Sequence, residues 1–316
     1  MLSKLRNIRY GALLLLSAVL LPAAFFLSGC ERPVGDNPED QVKYVIGMSQ
    51  ANLGEPWRVV MNREIMEEAA KHEEIKVIFT DAAQDSQKQV KDVEKLLGYG
   101  IDLLMISPNE AEPLTPIVEK AYEGIPVIVI DRDIQSEEYT MFIGANNELI
   151  GRQAGQFIAE LLGDRGGNVV EIQGLPGSIP AQDRSKGFGE VIAGYKNIEI
   201  VDTVVADWLR DKAEDEVHKR IRNYSNVDVI YAHNDPMALG AYRAASKFGN
   251  NNIKFVGIDG LLGEEGGIQL VKEGILKATF TYPTGGKEAV QYAIKLLKGE
   301  KGLPKRITLE SNTITE

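Results

Sequence analysis

Short runs of Val, Ile, Leu and Met alternate along most of this chain with stretches in which apolar residues recur every three or four positions. The first kind of run suits a strand buried on both faces, and the second marks one face of a helix. Strands are predicted at 44–48, 77–79, 103–106 and 127–130, with helices at 56–72, 86–97 and 114–122 between them. The 86–97 segment is the plainest helix, repeating Val90, Val93, Leu96 and Leu97. A second series begins after Phe142-Ile143-Gly144, with helices predicted at 149–162, 182–194, 212–224 and 236–248. Its strands fall at 168–172, 198–205, 229–232 and 255–258. A strand at 278–282, a helix at 287–297 and a closing strand near 306–309 complete the pattern. Such alternation builds parallel βαβ units, so the expected class is α/β, with two doubly wound, Rossmann-like parallel-sheet lobes.

The N-terminus departs from this pattern. The first nine residues carry Lys4, Arg6 and Arg9 and no acid, and an apolar stretch over 11–27 runs into Ser28-Gly29-Cys30. This is expected to be a secretory signal with a lipoprotein cleavage box, residues 1–29 being removed and Cys30 carrying the lipid. An uncleaved anchor is the alternative, since the run approaches the roughly 20 residues that span hydrocarbon. Pro22 interrupts it, which favours cleavage. Either way the body is expected outside the cytoplasm, tethered to a membrane and facing the periplasm or the cell exterior. Residues 30–42, with Pro33, Gly35, Asn37 and Pro38 among charged residues, read as a flexible tether.

Composition narrows the class further. Cys30 is the only cysteine, so the exported body must be held by its core instead of by disulfides. Beyond the leader, 32 basic residues stand against 46 acidic ones, a formal charge of −14. That balance argues against nucleic acid or an anionic membrane surface as ligand.

The candidate chemistry lies where predicted strands give way to loops, which is where ligands bind in open α/β sheets. Trp57 and Trp208, the only tryptophans, fall at two such exits in opposite halves. An indole face suits the apolar face of a sugar ring, although an ordinary core position is the alternative for each. Asp131-Arg132 ends the fourth strand. A carboxylate accepts from two adjacent hydroxyls while a guanidinium donates to oxygens, or the two form a surface ion pair. Asp235, ahead of Pro236, reads as the N-cap of the following helix. No Gly-x-Ser-x-Gly elbow, phosphate loop, zinc helix or calcium loop is present, and His72, His218 and His233 are scattered. No catalytic residue, metal or cofactor is therefore expected.

From about residue 44 onward the chain resembles type I periplasmic binding proteins of the ribose and galactose group. The residues that carry this are Gly47-Met48-Ser49-Gln50 with Pro56-Trp57-Arg58, Ile128-Val129-Ile130-Asp131-Arg132, and Asp183-Arg184-Ser185-Lys186-Gly187-Phe188. Tyr231-Ala232-His233-Asn234-Asp235 and Val256-Gly257-Ile258-Asp259-Gly260 extend it. The Ser49-Gln50, Trp57-Arg58 and Tyr-Ala-His-Asn-Asp elements look most like the galactofuranose-binding branch. The resemblance implies two lobes joined by three crossings, lobe one being 43–145 plus 283–308 and lobe two 146–282 plus 309–316.

It also implies a monosaccharide site that uses Trp57, Asp131, Arg132, Trp208, Asn234 and Asp259. Arg58 and Arg184 are further candidates, and Tyr282 stands where ribose-binding relatives carry a ligand-contacting glutamine. Gln50, Asn146 and Gln173 are supporting candidates that turn or hinge chemistry explains equally well. The implied function is a monomeric, lipid-anchored receptor that closes on a pentose or hexose, in furanose or pyranose form, and presents it to an ABC permease. A membrane sensor kinase or chemoreceptor is the alternative partner. An extracytoplasmic carbohydrate enzyme is the other class to weigh, because paired carboxylates also hydrolyse glycosides.

Overall fold

The computed structural model describes residues 42–316, so the leader, Cys30 and the tether to residue 41 lie outside the described residues. The first part of the chain runs β1 (Tyr44–Gln50), α1 (Pro56–Ala69), β2 (Ile75–Asp81), α2 (Ser86–Gly98), β3 (Leu103–Ile106), α3 (Ala111–Tyr122), β4 (Val127–Ile130) and β5 (Met141–Ala145). It continues through α4 (Asn147–Leu162), β6 (Gly167–Gln173), α5 (Ile179–Ile192), β7 (Ile198–Val205), α6 (Arg210–Arg220), β8 (Val227–Ala232) and α7 (Asp235–Lys247). The last elements are β9 (Lys254–Val256), α8 (Gly267–Lys272), β10 (Ala278–Phe280), α9 (Gly286–Leu297), β11 (Arg306–Leu309) and β12 (Thr313–Thr315).

Two six-stranded sheets result, in the orders β11-β5-β4-β3-β1-β2 and β12-β10-β9-β8-β6-β7. Neighbours are parallel throughout, except that β12 runs antiparallel to β10. The central strands β3 (Leu-Leu-Met-Ile) and β4 (Val-Ile-Val-Ile) are buried at every position, as strands covered by helices on both faces must be. Both sheets are the parallel α/β layers that the alternating pattern implies.

The chain leaves the first sheet after Ala145, returns after β10 to add β11, and leaves again to add β12. Leu309 still pairs with Ala145 in the first sheet, so the third crossing falls at 310–312, not at the expected 308/309 boundary. The six-residue α8 and the three-residue β12 escaped the sequence reading because neither is long enough to express a period. The cap of α7 also differs from expectation. Asn234 is the N-cap, its Oδ1 accepting from the Met237 N–H at 2.9 Å, and Asp235 is the first helical residue, 2% exposed.

Candidate ligand-binding site

The exits of β1 and β4 in the first lobe and of β7, β8 and β9 in the second open onto one cavity. The first lobe contributes Glu55, Trp57, Arg58, Asp131 and Arg132, and the second contributes Pro180, Arg184, Trp208, Asn234 and Asp259. Tyr282, at the second crossing, completes the wall. The two tryptophans thus share a cavity with Asp131 and do not point into separate interiors, although each is 5% exposed and also packs on its own lobe's core.

The backbone is bent to deliver these groups. Non-glycine residues with positive φ include Asp131 (68°), Asp207 (50°), Trp208 (71°) and Asp259 (139°). Such conformations cost of order 1–3 kcal/mol each, and three of them, at Asp131, Trp208 and Asp259, fall at strand exits on the cavity wall. Two glycines permit close approaches. A Cβ at Gly174 would lie 2.2 Å from the Trp208 ring, so only glycine lets the indole lie against the β6 exit. A Cβ at Gly151 would lie 2.3 Å from the Arg184 carbonyl oxygen, so α4 and α5 pack at backbone distance, which brings Arg184 to the start of α4.

In the first lobe the polar groups largely satisfy one another. Asp131 accepts from Arg58 Nη2 at 3.1 Å and Ser107 Oγ at 3.0 Å on one oxygen, and from Tyr282 Oη at 2.8 Å on the other. Glu55 accepts from Asn52 Nδ2 at 2.6 Å and Arg58 Nε at 3.3 Å, and lies 3.6 Å from Arg132 Nη2. Arg132 donates to the Asn109 carbonyl at 2.9 Å and reaches across the cleft, its guanidinium 5.4 Å from the Trp208 ring centroid. Burial first, and then the neighbouring Arg58, push Arg132 down to about 10. Burial also opposes charge on Arg58, but Glu55 and Asp131 outweigh it and hold that guanidinium above its ordinary value.

The second lobe presents more unpaired groups. Trp208 Nε1 is buried and has no hydrogen-bond partner, and the Asp259 carboxylate accepts no hydrogen bond among the described residues. Arg184 donates through Nε to Asn147 Oδ1 at 2.9 Å and through Nη1 to the His233 carbonyl, while its guanidinium lies 4.3 Å from the Tyr282 ring centroid. His233 is itself fully buried and bonded to Glu171 at 2.9 Å; burial holds it below its usual value.

Nine of the eleven expected contacts line the cavity, and two do not. Gln50 lies one layer back, where its Oε1 accepts from Arg58 Nη1 at 2.5 Å and its Nε2 donates to Asn62, so it orients Arg58. Asn146 caps α4, accepting from the Leu149 N–H at 2.9 Å, and does not line the cavity. Its neighbour Asn147 lies behind the cavity wall and bonds both Arg184 and Tyr282 Oη (3.2 Å). Gln173 donates to Ser185 and Glu171 in the second lobe, outside the cavity. Trp57 Nε1 is committed to the Tyr282 carbonyl at 2.7 Å, so of the two indole N–H groups only that of Trp208 remains for a ligand. Glu55 is the principal omission; an acid three residues ahead of Arg58 at a strand exit was the available signal.

Two hinged α/β sheets with a polar, aromatic-walled cavity between them define a bilobal solute-receptor fold. Residues 46–301 match the family described as periplasmic binding protein domain, and the chain belongs to that family. It is 32% identical to the ribose import binding protein RbsB of Bacillus subtilis, over 90% of this chain and 93% of the relative. It is 28% identical to the galactofuranose-binding protein YtfQ of Escherichia coli, over 85% and 86%. Among solved structures, the fructose-binding periplasmic domain of a hybrid two-component system superposes with a TM-score of 0.83 at 43% identity, covering 86% of this chain and 90% of that one. A crystal structure of a galactofuranose-binding protein gives 0.81 at 28% identity, covering 86% and 94%.

Proposed function

We propose that this chain is an exported sugar-binding protein that closes on one monosaccharide and delivers it to an ABC importer. The observation that carries this reading is the single cavity shared by Trp57, Trp208, Asp131 and Asp259, drawn from both lobes. Aromatic walls cover the ring's apolar faces, and arginines and carboxylates bond the hydroxyl rim. The ligand touches both halves only when they are together, so binding shifts the population toward the shut form, and the partner reads that form. The sugar leaves chemically unaltered.

D-fructose and D-ribose are the first ligands to test, given the names of the relatives, and the furanose form is favoured because several similar structures hold or are named for furanoses. The fructose-binding domain of a hybrid two-component system is the observation that favours a sensor kinase as the alternative partner. Anchoring through Cys30, a monomeric state, and the lobe limits given by the sheets belong to the same proposal. Thermal unfolding across a panel of monosaccharides tests it. A ligand at a thousandfold excess over its Kd should stabilise the protein by about 4 kcal/mol. No shift with any monosaccharide would refute the sugar reading.

A further inference from the structure

One charged side chain next to the cavity has no part in the ligand contacts described so far. Asp235, the first residue of α7, lies behind the wall, 2% exposed, and does not line the cavity. Its Oδ2 accepts from the Gly260 N–H at 2.8 Å, and Thr279 Oγ1 donates to its carboxylate at 2.8 and 3.0 Å. Gly260 directly follows Asp259, so the buried carboxylate is bonded to the backbone that carries the cavity carboxylate. Neither acid has a Lys, Arg or His nitrogen within 4.0 Å among the described residues.

Two buried carboxylates linked through one backbone N–H, without a paired cation, do not both ionise at little cost. The surroundings decide which one keeps the proton. Asp235 has two donors, the Gly260 N–H and the Thr279 hydroxyl, and sits at a helix N-terminus, both of which favour its anion. Asp259 has no protein donor among the described residues, and the neighbouring charges that act on it are Asp235 from α7 and, across the cleft, Glu55 ahead of α1 and Asp131 after β4. Arg184 of α5 is the one cation that acts on both acids, and its Nε and Nη1 are bonded to Asn147 and the His233 carbonyl. Arg58 and Arg132 are engaged by Glu55 and Asp131. Burial, and then the charge of Asp235, hold Asp259 well above the ordinary carboxylate range. Of the two acids, Asp259 is thus the one favoured to hold a shared proton.

We infer that sugar binding releases this proton, and that Asp235 is a positioning residue that sets the charge Asp259 presents to the ligand. The inference rests on the proposed sugar site. Sugar hydroxyls supply the donors that Asp259 lacks, and donors favour the carboxylate, so binding and ionisation assist each other. Affinity then falls as the pH is lowered through the raised range of the pair, approaching tenfold per unit for about one proton.

The test is calorimetric titration of D-fructose, and of D-ribose, into the purified protein near about pH 6, in two buffers of different ionisation enthalpy. The expected result is release of up to about one proton per sugar in the wild type and clearly less in Asp235→Asn, where burial alone still raises Asp259 and affinity weakens less steeply toward acid. Buffer-independent heats in the wild type, or equal release in the variant, would overturn the inference. Carbon-13 titration of the aspartate carboxyls without sugar gives a second readout. One aspartate should titrate far above its peers and vanish in Asp259→Asn, whereas an ordinary value for every aspartate would overturn the pairing. If neither sugar binds the wild type, the sugar reading and the linkage fail together, while the carboxyl titration still decides whether Asp235 and Asp259 share a proton.

Discussion

At the residue scale, the site divides into groups that already have partners and groups that await one. Asp131 is bonded to Arg58, Ser107 and Tyr282, so its geometry is set before any ligand arrives. Trp208 Nε1 is buried without a partner among the described residues, and a ligand that bonds it removes a desolvation cost of about 1–3 kcal/mol. Trp57 is more structural than its sequence suggests. Trp57→Phe keeps an aromatic wall but strands the Tyr282 carbonyl, and urea denaturation should show a loss of about 1 kcal/mol.

The Asp235–Asp259 pair also leaves a mark on the sugar-free protein. A carboxylate whose folded value is raised makes the native state hold more protons than the unfolded chain, so stability is greatest below that value and falls as the pH rises through it. His233, held low by burial, acts in the opposite sense, its stability being lost on acidification. The difference between wild type and Asp235→Asn isolates the pair. In thermal melts from about pH 7 to about pH 5, wild type should gain on the variant as the pH falls. The sequence revealed which strand exits carry polar groups, but not which of those groups would satisfy each other. Glu55, Asn147 and the pairing of Asp235 with Asp259 depend on contacts between segments far apart in the chain.

At the element scale, strands and long helices were legible because their apolar periods are strong, while their ends were not. The helix at the second-lobe entrance illustrates this. Two consecutive asparagines, 146 and 147, stand at its start, and only the structure separates the cap from the site residue. Asn146→Ala should lower stability by about 1 kcal/mol, measured by denaturation, with sugar affinity unchanged. Asn147→Ala should weaken affinity instead, because it releases Arg184 and Tyr282. The α4–α5 contact makes a related point. Gly151→Ala forces a methyl against the Arg184 carbonyl, and overpacking of this kind costs about 1–3 kcal/mol. Calorimetry should show weaker sugar binding as well, since the displaced backbone carries Arg184.

At the scale of the whole molecule, function lies in neither sheet alone. The alternating pattern implies two similar α/β lobes, yet the return of β11 to the first sheet and of β12 to the second comes from the last few residues, which carry almost no periodic signal. Three crossings let the lobes bend about a common hinge while resisting independent rotation. Tyr282 sits on that hinge, bonded to Asp131 and Trp57 on one side and to Asn147 on the other. The central claim is that one monosaccharide is held between the lobes by side chains from both. Calorimetric titration of the wild type and of Trp208→Ala against a monosaccharide panel addresses it most directly. The account predicts one sugar bound per chain in the wild type and a loss of about 2 kcal/mol or more, roughly thirtyfold in Kd, in the variant. An unchanged Kd in Trp208→Ala, or a wild type that binds no monosaccharide, would contradict it.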